Sequence, residues 1–153
     1  MALRHAPGAD GHEDGKAHTH GHEHARGEDG RHQPARAAGR WCVVIVVGGP
    51  QYRVGSHRQF VRLARSVARA GYAVLRFDVR GMGDGSGAPR RFDELQHDIA
   101  AAIDALLAQA SGVRRIALWG LCDGASAAWL YVQATGDARV CGVGAVNPWV
   151  RSD

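Results

Sequence analysis

Lysine is nearly missing from this sequence: Lys16 is the only one among 19 basic residues, so arginine carries almost all the positive charge. No apolar run is long enough to cross a membrane, and the first residues lack the apolar stretch of a secretory leader. These gaps predict a cytoplasmic protein with no membrane span. Cysteine is sparse as well. Cys42, Cys122 and Cys141 are too few and too scattered for a disulfide framework or a zinc ribbon. Cys42 and Cys141 lie inside apolar, strand-like runs and are expected to be buried, reduced thiols. Aromatic residues make up only 7% of the chain. None joins the stripe of Arg58, Arg62, Arg65 and Arg69, which recur at helical spacing. That stripe reads as a solvated helix face, and no nucleic-acid partner is expected.

What is present divides near residue 40. Residues 1–40 are rich in His, Gly, Ala and charge, with six basic and six acidic side chains that cancel. With almost no large apolar residues, such a segment cannot offset the entropy of ordering and is expected to be a disordered tail. Seven of the nine histidines fall in it. His18, His20, His22 and His24 alternate with other residues, and imidazoles so spaced on a tether can bind Zn, Ni or Cu ions weakly. No cysteine accompanies them and the Gly-rich backbone preorganises nothing, so a low-complexity tail is the plainer reading. No cofactor is expected.

Residues 41–153 alternate between strand and helix patterns. Cys42–Val47 is a continuous β-branched run, as expected of a strand covered on both faces, and Gly48, Gly49 and Pro50 end it. Ser56 is a candidate cap for a helix reaching about Ala70, with Phe60, Leu63, Ala64, Val67 and Ala68 as its apolar stripe. Strand Ala73–Asp78 leads into a Gly-rich loop. A second helix spans about Asp93 to Ala110 on Leu95, Ile99, Ala102, Ile103, Leu106 and Ala110. Arg115–Trp119 is the third strand, a helix runs from Cys122 to about Ala134, and Val140–Val146 is the fourth strand. This order predicts an α/β fold: a parallel sheet with helices on both faces, its chemistry at the carboxyl ends of the strands.

The chemistry concentrates in Gly120-Leu121-Cys122-Asp123-Gly124, between a strand and a helix. There a nucleophile on a sharp turn is pushed up from the sheet, and only small residues fit two positions before and after it. The helix that starts past Cys122 favours a thiolate by its dipole. The Asp123 N–H would face the oxyanion of an acyl intermediate. The loop Gly48-Gly49-Pro50-Gln51 follows the first strand, where a second oxyanion donor belongs. Pro50 has no N–H, so Gly49 or Gln51 would supply it. The loop Gly81–Gly87 loosely matches a dinucleotide fingerprint, but Pro89, Arg90 and Arg91 intervene before the helix, so no helix N-terminus faces it. It reads instead as a turn placing Asp78 and Arg80 near the site. His57, at a helix start beside the oxyanion loop, and Arg80 are candidate substrate contacts. His97 reads as a surface residue.

The segments GGPQYRVGSHRQF (residues 48–60), VLRFDVRGMGD (74–84), LWGLCDGASAA (118–128) and NPWVR (147–151) together resemble the exosortase A system-associated hydrolase 1 family of α/β-hydrolase-fold proteins. The resemblance covers residues 41–151. It implies an α/β-hydrolase-type sheet, a link to exopolysaccharide and exosortase systems, Cys122 as nucleophile and the Gly49–Gln51 loop as the oxyanion side. Two features depart from the pattern. The His-rich segment stands where an antiparallel hairpin normally opens the fold. No histidine follows Cys122, although this fold orders its triad as nucleophile, acid, histidine. Only Asp137 and Asp153 lie beyond the elbow as acids. Such a domain needs roughly 200–250 residues, so the chain is expected to carry the N-terminal half only.

The leading expectation is therefore a hydrolase or acyltransferase acting on a small-molecule ester or thioester through Cys122. An alternative is a catalytically incomplete protein that binds an acyl ligand or acts as a scaffold. A third is a metal-binding protein working through its tail. The sheet edge left by the missing strands is expected to drive self-association.

Overall fold

The computed structural model describes residues 40–149. The tail expected over residues 1–40, its boundary and the candidate metal ligands His18, His20, His22 and His24 lie outside the described residues.

Four parallel strands form one sheet: β1 (Trp41–Val46), β2 (Ala73–Arg76), β3 (Arg115–Leu121) and β4 (Val140–Val146), in the order β2-β1-β3-β4. Three α-helices connect them: α1 (Gln59–Arg69), α2 (Gln96–Gln109) and α3 (Asp123–Thr135). The β-branched run places β1 in the interior, where Val44 pairs with Leu75 on one side and with Leu118 on the other. Its alternate residues feed two cores. Cys42, Val44 and Val46 pack with Ile99 and Ile103 of α2 and with Ala127, Ala128 and Tyr131 of α3. On the opposite face Ile45 and Val47 pack with Phe60 of α1, and Phe60 meets Trp119 edge-on at 6.0 Å. Two helices thus cover one face and one helix covers the other, as the alternating pattern predicted.

Several local expectations change. Ser56 does not cap α1. It opens a 3-10 turn, Ser56–Arg58, in which His57 and Arg58 both take left-handed backbone angles and no side chain caps the helix. Ala68 is exposed, because the buried stripe of α1 shifts to Phe60 and Val61. The second helix starts at Gln96, since Phe92–Glu94 forms a separate 3-10 turn. Cys141 is exposed and not buried. The β3–β4 register passes from Ile116–Val140 to Ala117–Gly142, skipping Cys141, and β4 is an edge strand with no neighbour beyond it among the described residues. Cys42 is fully buried, which pushes its thiol pKa up to about 11.

Candidate active site

The strand-to-helix turn at Cys122 is the most constrained backbone in the described chain. Cys122 has φ 51° and ψ −120°, a region that costs about 1–3 kcal/mol for a residue with a side chain. Three glycines make room for it. A Cβ on Gly120 would lie 2.3 Å from the Gly124 carbonyl, one on Gly124 would lie 2.2 Å from Val46 O, and one on Gly48 would lie 2.0 Å from Gly124 N. The start of α3 is thereby pressed against the ends of β1 and β3. Hydrogen bonds hold the turn: Cys122 N–H donates to Val146 O at 2.9 Å, and Cys122 O accepts from Ala125 N–H at 2.9 Å and Ser126 N–H at 3.1 Å. The thiol stays half-buried at the carboxyl end of the sheet.

The elbow carries two candidate donors. Asp123 is the first residue of α3, so helix geometry gives its N–H no intrahelical acceptor. Asn147, at the end of β4 with φ 48°, donates its side-chain amide to Cys122 Sγ at 3.6 Å. Sequence reading missed Asn147, since nothing in its local pattern ties it to a residue 25 positions away. The signals were its place after a parallel strand, where such folds carry their chemistry, and its position at the head of the NPWVR segment.

The loop after β1 comes alongside. Gly49 has φ 65°, and a Cβ there would sit 3.4 Å from Asp123 Oδ2, so loop and elbow are in contact. Gln51 N–H is taken up within the loop, donating to Gly49 O at 2.7 Å, and Gln51 Oε1 is buried without a partner among the described residues. Of the two expected oxyanion donors, this leaves Gly49. The loop is also tied down by Asp78. That nearly buried carboxylate accepts from Arg53 N–H at 2.6 Å and Asp84 N–H at 3.2 Å, and pairs with the Arg53 guanidinium. Arg53 reaches Asp84 at 2.8 Å and stacks over Tyr52, 4.8 Å from the ring centre. Sequence reading placed Asp78 near the site but missed Arg53.

The other candidates lie in the segments that follow β1 and β2. Arg80 clamps Asp98 of α2 with both arms of its guanidinium, at 2.9 and 3.0 Å, and the bond holds Arg80 above its ordinary pKa. That pairing ties the Gly-rich loop to the helix. His57 is exposed on the 3-10 turn before α1, and His97 is exposed on α2. Among the described residues no group of three or more His, Cys, Asp or Glu side chains is placed to hold a metal, and no helix is long and apolar enough to cross a membrane.

The arrangement brings together a thiol on a strained turn, the Asn147 amide against its sulfur, and a glycine loop touching the Asp123 side of the elbow. A model of the alpha/beta hydrolase fold family matches residues 42–151. Human Protein ABHD12B is 31% identical over 101 residues, which make up 62% of this chain and 27% of that protein. Among solved structures, the Pyrococcus furiosus esterase Pf2001 superposes with a TM-score of 0.63 at 22% identity, over 74% of this chain and 43% of that one. The Agrobacterium tumefaciens protein ATU1826 gives 0.59 at 21% identity, over 76% and 53%. The chain spans about a quarter of the curated relative and about half of these structures.

Proposed function

Because the chain belongs to the alpha/beta hydrolase fold family, we propose that it is an acyl-transfer catalyst whose nucleophile is Cys122, acting on esters or thioesters as a hydrolase or acyltransferase. The single observation carrying this reading is the backbone of Cys122, at φ 51° and ψ −120° between β3 and α3, wedged by glycines with its side chain half-buried. In the first step Cys122 Sγ bonds the carbonyl carbon, and the N–H groups of Asp123 and Gly49 stabilise the oxyanion. The leaving group departs with the thiol proton. Water then attacks the thioester, the C–S bond breaks, and a proton returns to sulfur. A thioester donor suits this site, since a thiolate attacks it without a base. Turnover needs a base, and no histidine follows Cys122 in the sequence. The reading therefore assigns that role to a histidine from outside residues 123–153. Replacement of Cys122 by Ala should abolish ester or thioester cleavage, and unchanged turnover would dismiss the nucleophile.

The four motifs shared with the exosortase A system-associated hydrolase 1 family support a role beside exopolysaccharide or exosortase systems. Three free thiols suit a reducing compartment, in keeping with a cytoplasmic site of action. His57 and Arg80 remain the proposed substrate contacts at the rim, and His18–His24 a proposed weak metal tether. Zn binding retained after deletion of residues 1–40 would remove the tether.

A second reading of the same elbow is an acyl-binding protein that forms a stable adduct without turnover. A stoichiometric acyl adduct with no product release would support it over the enzyme. Self-association by strand pairing along β4, which has no neighbour on its outer side among the described residues, is part of the same proposal. A monomer in sedimentation at tens of micromolar would contradict that part.

A further inference from the structure

We infer that the outer face of α1 docks on an anionic lipid surface, so that the protein lies against a bilayer without crossing it. This surface role is separate from the acyl chemistry and does not depend on Cys122. A charge asymmetry in the sequence points to it. No Asp or Glu stands between Asp29 and Asp78, whereas arginine recurs through that stretch.

In the structure the asymmetry becomes a face. Arg62, Arg65 and Arg69 follow one another on α1 at three- and four-residue spacing, so they lie within roughly 60° of one another around the helix. Arg58 directly precedes the helix, and the row of four extends over about 16 Å. All four are exposed, while Phe60, Leu63 and Ala64 turn toward the sheet. Elsewhere arginine is neutralised locally. Arg53, Arg80, Arg91 and Arg139 each pair with a carboxylate, and among the described residues no carboxylate pairs with the row on α1. Basic clusters of this size on an amphipathic helix are drawn to anionic headgroups.

The surroundings favour a lipid surface over a soluble polyanion. Tyr72 is held to the last turn of α1, its N–H donating to Val67 O at 3.3 Å, and 39% of its surface is open to water. The pairing of Cys42 with Ala73 sets Trp41 beside Tyr72, and the Arg115 guanidinium lies 5.4 Å from the centre of the Trp41 ring. Two aromatic side chains with polar tips, next to arginines, suit the boundary between headgroups and acyl chains. No aromatic residue interleaves with the arginines themselves, as stacking on single-stranded nucleic acid would require.

Sedimentation of the full chain with sucrose-loaded vesicles tests the assignment, using phosphatidylcholine alone and an equal mixture with phosphatidylglycerol. Binding should require phosphatidylglycerol and weaken as added salt screens the charges. Each arginine near an anionic surface is worth roughly fivefold, so Arg62→Gln combined with Arg65→Gln should lower the partition coefficient about 25-fold. Glutamine matches arginine in helix propensity, so the urea midpoint should stay where it is. Arg90→Gln combined with Arg91→Gln removes the same charge from an exposed loop and should lower partition by less than about threefold. Equal partition into neutral vesicles, no partition into either kind, or equal losses in the two double variants overturns the assignment. Tighter binding to polyglutamate or to a single-stranded oligonucleotide, with the same dependence on Arg62 and Arg65, overturns it as well and makes the face a reader of soluble polyanions.

Discussion

Replacing Gly124 by Ala adds one methyl group at the tightest point of the fold. Its Cβ would lie 2.2 Å from Val46 O and 3.0 Å from Gly48 N, both backbone atoms that no rotamer change can move. A normal carbon–oxygen contact would require α3 to retreat from β1 by about 1 Å, and overpacking of this kind costs about 1–3 kcal/mol or more. Alanine's better helix propensity returns less than about 1 kcal/mol, because the position lies in the first turn. The expected net loss is about 2 kcal/mol. Gly142→Ala is the matched control: a Cβ there meets nothing within 4 Å, and alanine is a better strand residue than glycine. Urea unfolding followed by far-UV circular dichroism should show a lower midpoint for Gly124→Ala and an unchanged or slightly higher one for Gly142→Ala, with equal slopes. Gly124→Ala within 0.5 kcal/mol of the parent (about the scatter of a neutral surface change) would refute the claim that α3 is pressed onto β1 by necessity.

Loss of the Asn147 amide should slow alkylation of Cys122 in Asn147→Ala by about threefold to tenfold, while Asn147→Gly, which tolerates the positive φ of 48°, should give the same slowing without lowering the urea midpoint by more than about 1 kcal/mol. Asp78→Ala should lower stability by about 2–3 kcal/mol in the same urea assay, since it leaves the Arg53 and Asp84 N–H groups without their acceptor and Arg53 with Asp84 alone, and a smaller loss in Arg53→Ala would fit the same pairing. The Arg139 guanidinium, aided by the Tyr131 hydroxyl and opposed by burial, holds the Asp137 carboxyl well below the usual carboxylate range. Its folded pKa is depressed, so its contribution is fully present above the unfolded value of about 4 and fades as pH falls below it. Thermal melts from pH 5 to pH 2 should therefore fall more steeply for the parent than for Asp137→Asn, and equal slopes would remove Asp137 from the account.

The order of strands and helices was legible because each element advertises itself locally. The run from Cys42 to Val47 alternates between two cores, and Leu95, Ile99, Ala102, Ile103 and Leu106 do fall on one buried face. The elbow was legible for a similar reason, as its five residues are contiguous. What escaped depends on neighbours far along the chain. Cys141 sits in an apolar run like that of Cys42, yet one belongs to an edge strand with a register shift and the other to a central strand. Asn147, Arg53 and the Ser126–Trp149 bond are set by contacts 23 to 25 residues apart, which no local pattern encodes. Gly48 was read only as part of a turn, whereas its closest approach is to Gly124 across the sheet.

Three cysteines in one chain allow the central claim, that Cys122 is an activated nucleophile, to be tested without knowing the substrate. Brief exposure to limiting iodoacetamide at neutral pH, followed by peptide mapping, ranks the three thiols in one sample. Accessibility alone would put Cys141 first, since it is exposed while Cys122 is half-buried and Cys42 is enclosed. The account predicts Cys122 first, about tenfold ahead of Cys141, because the strained turn presents its sulfur at the start of α3 beside the Asn147 amide, with the enclosed Cys42 last. Cys141 reacting as fast as Cys122, or faster, would contradict it.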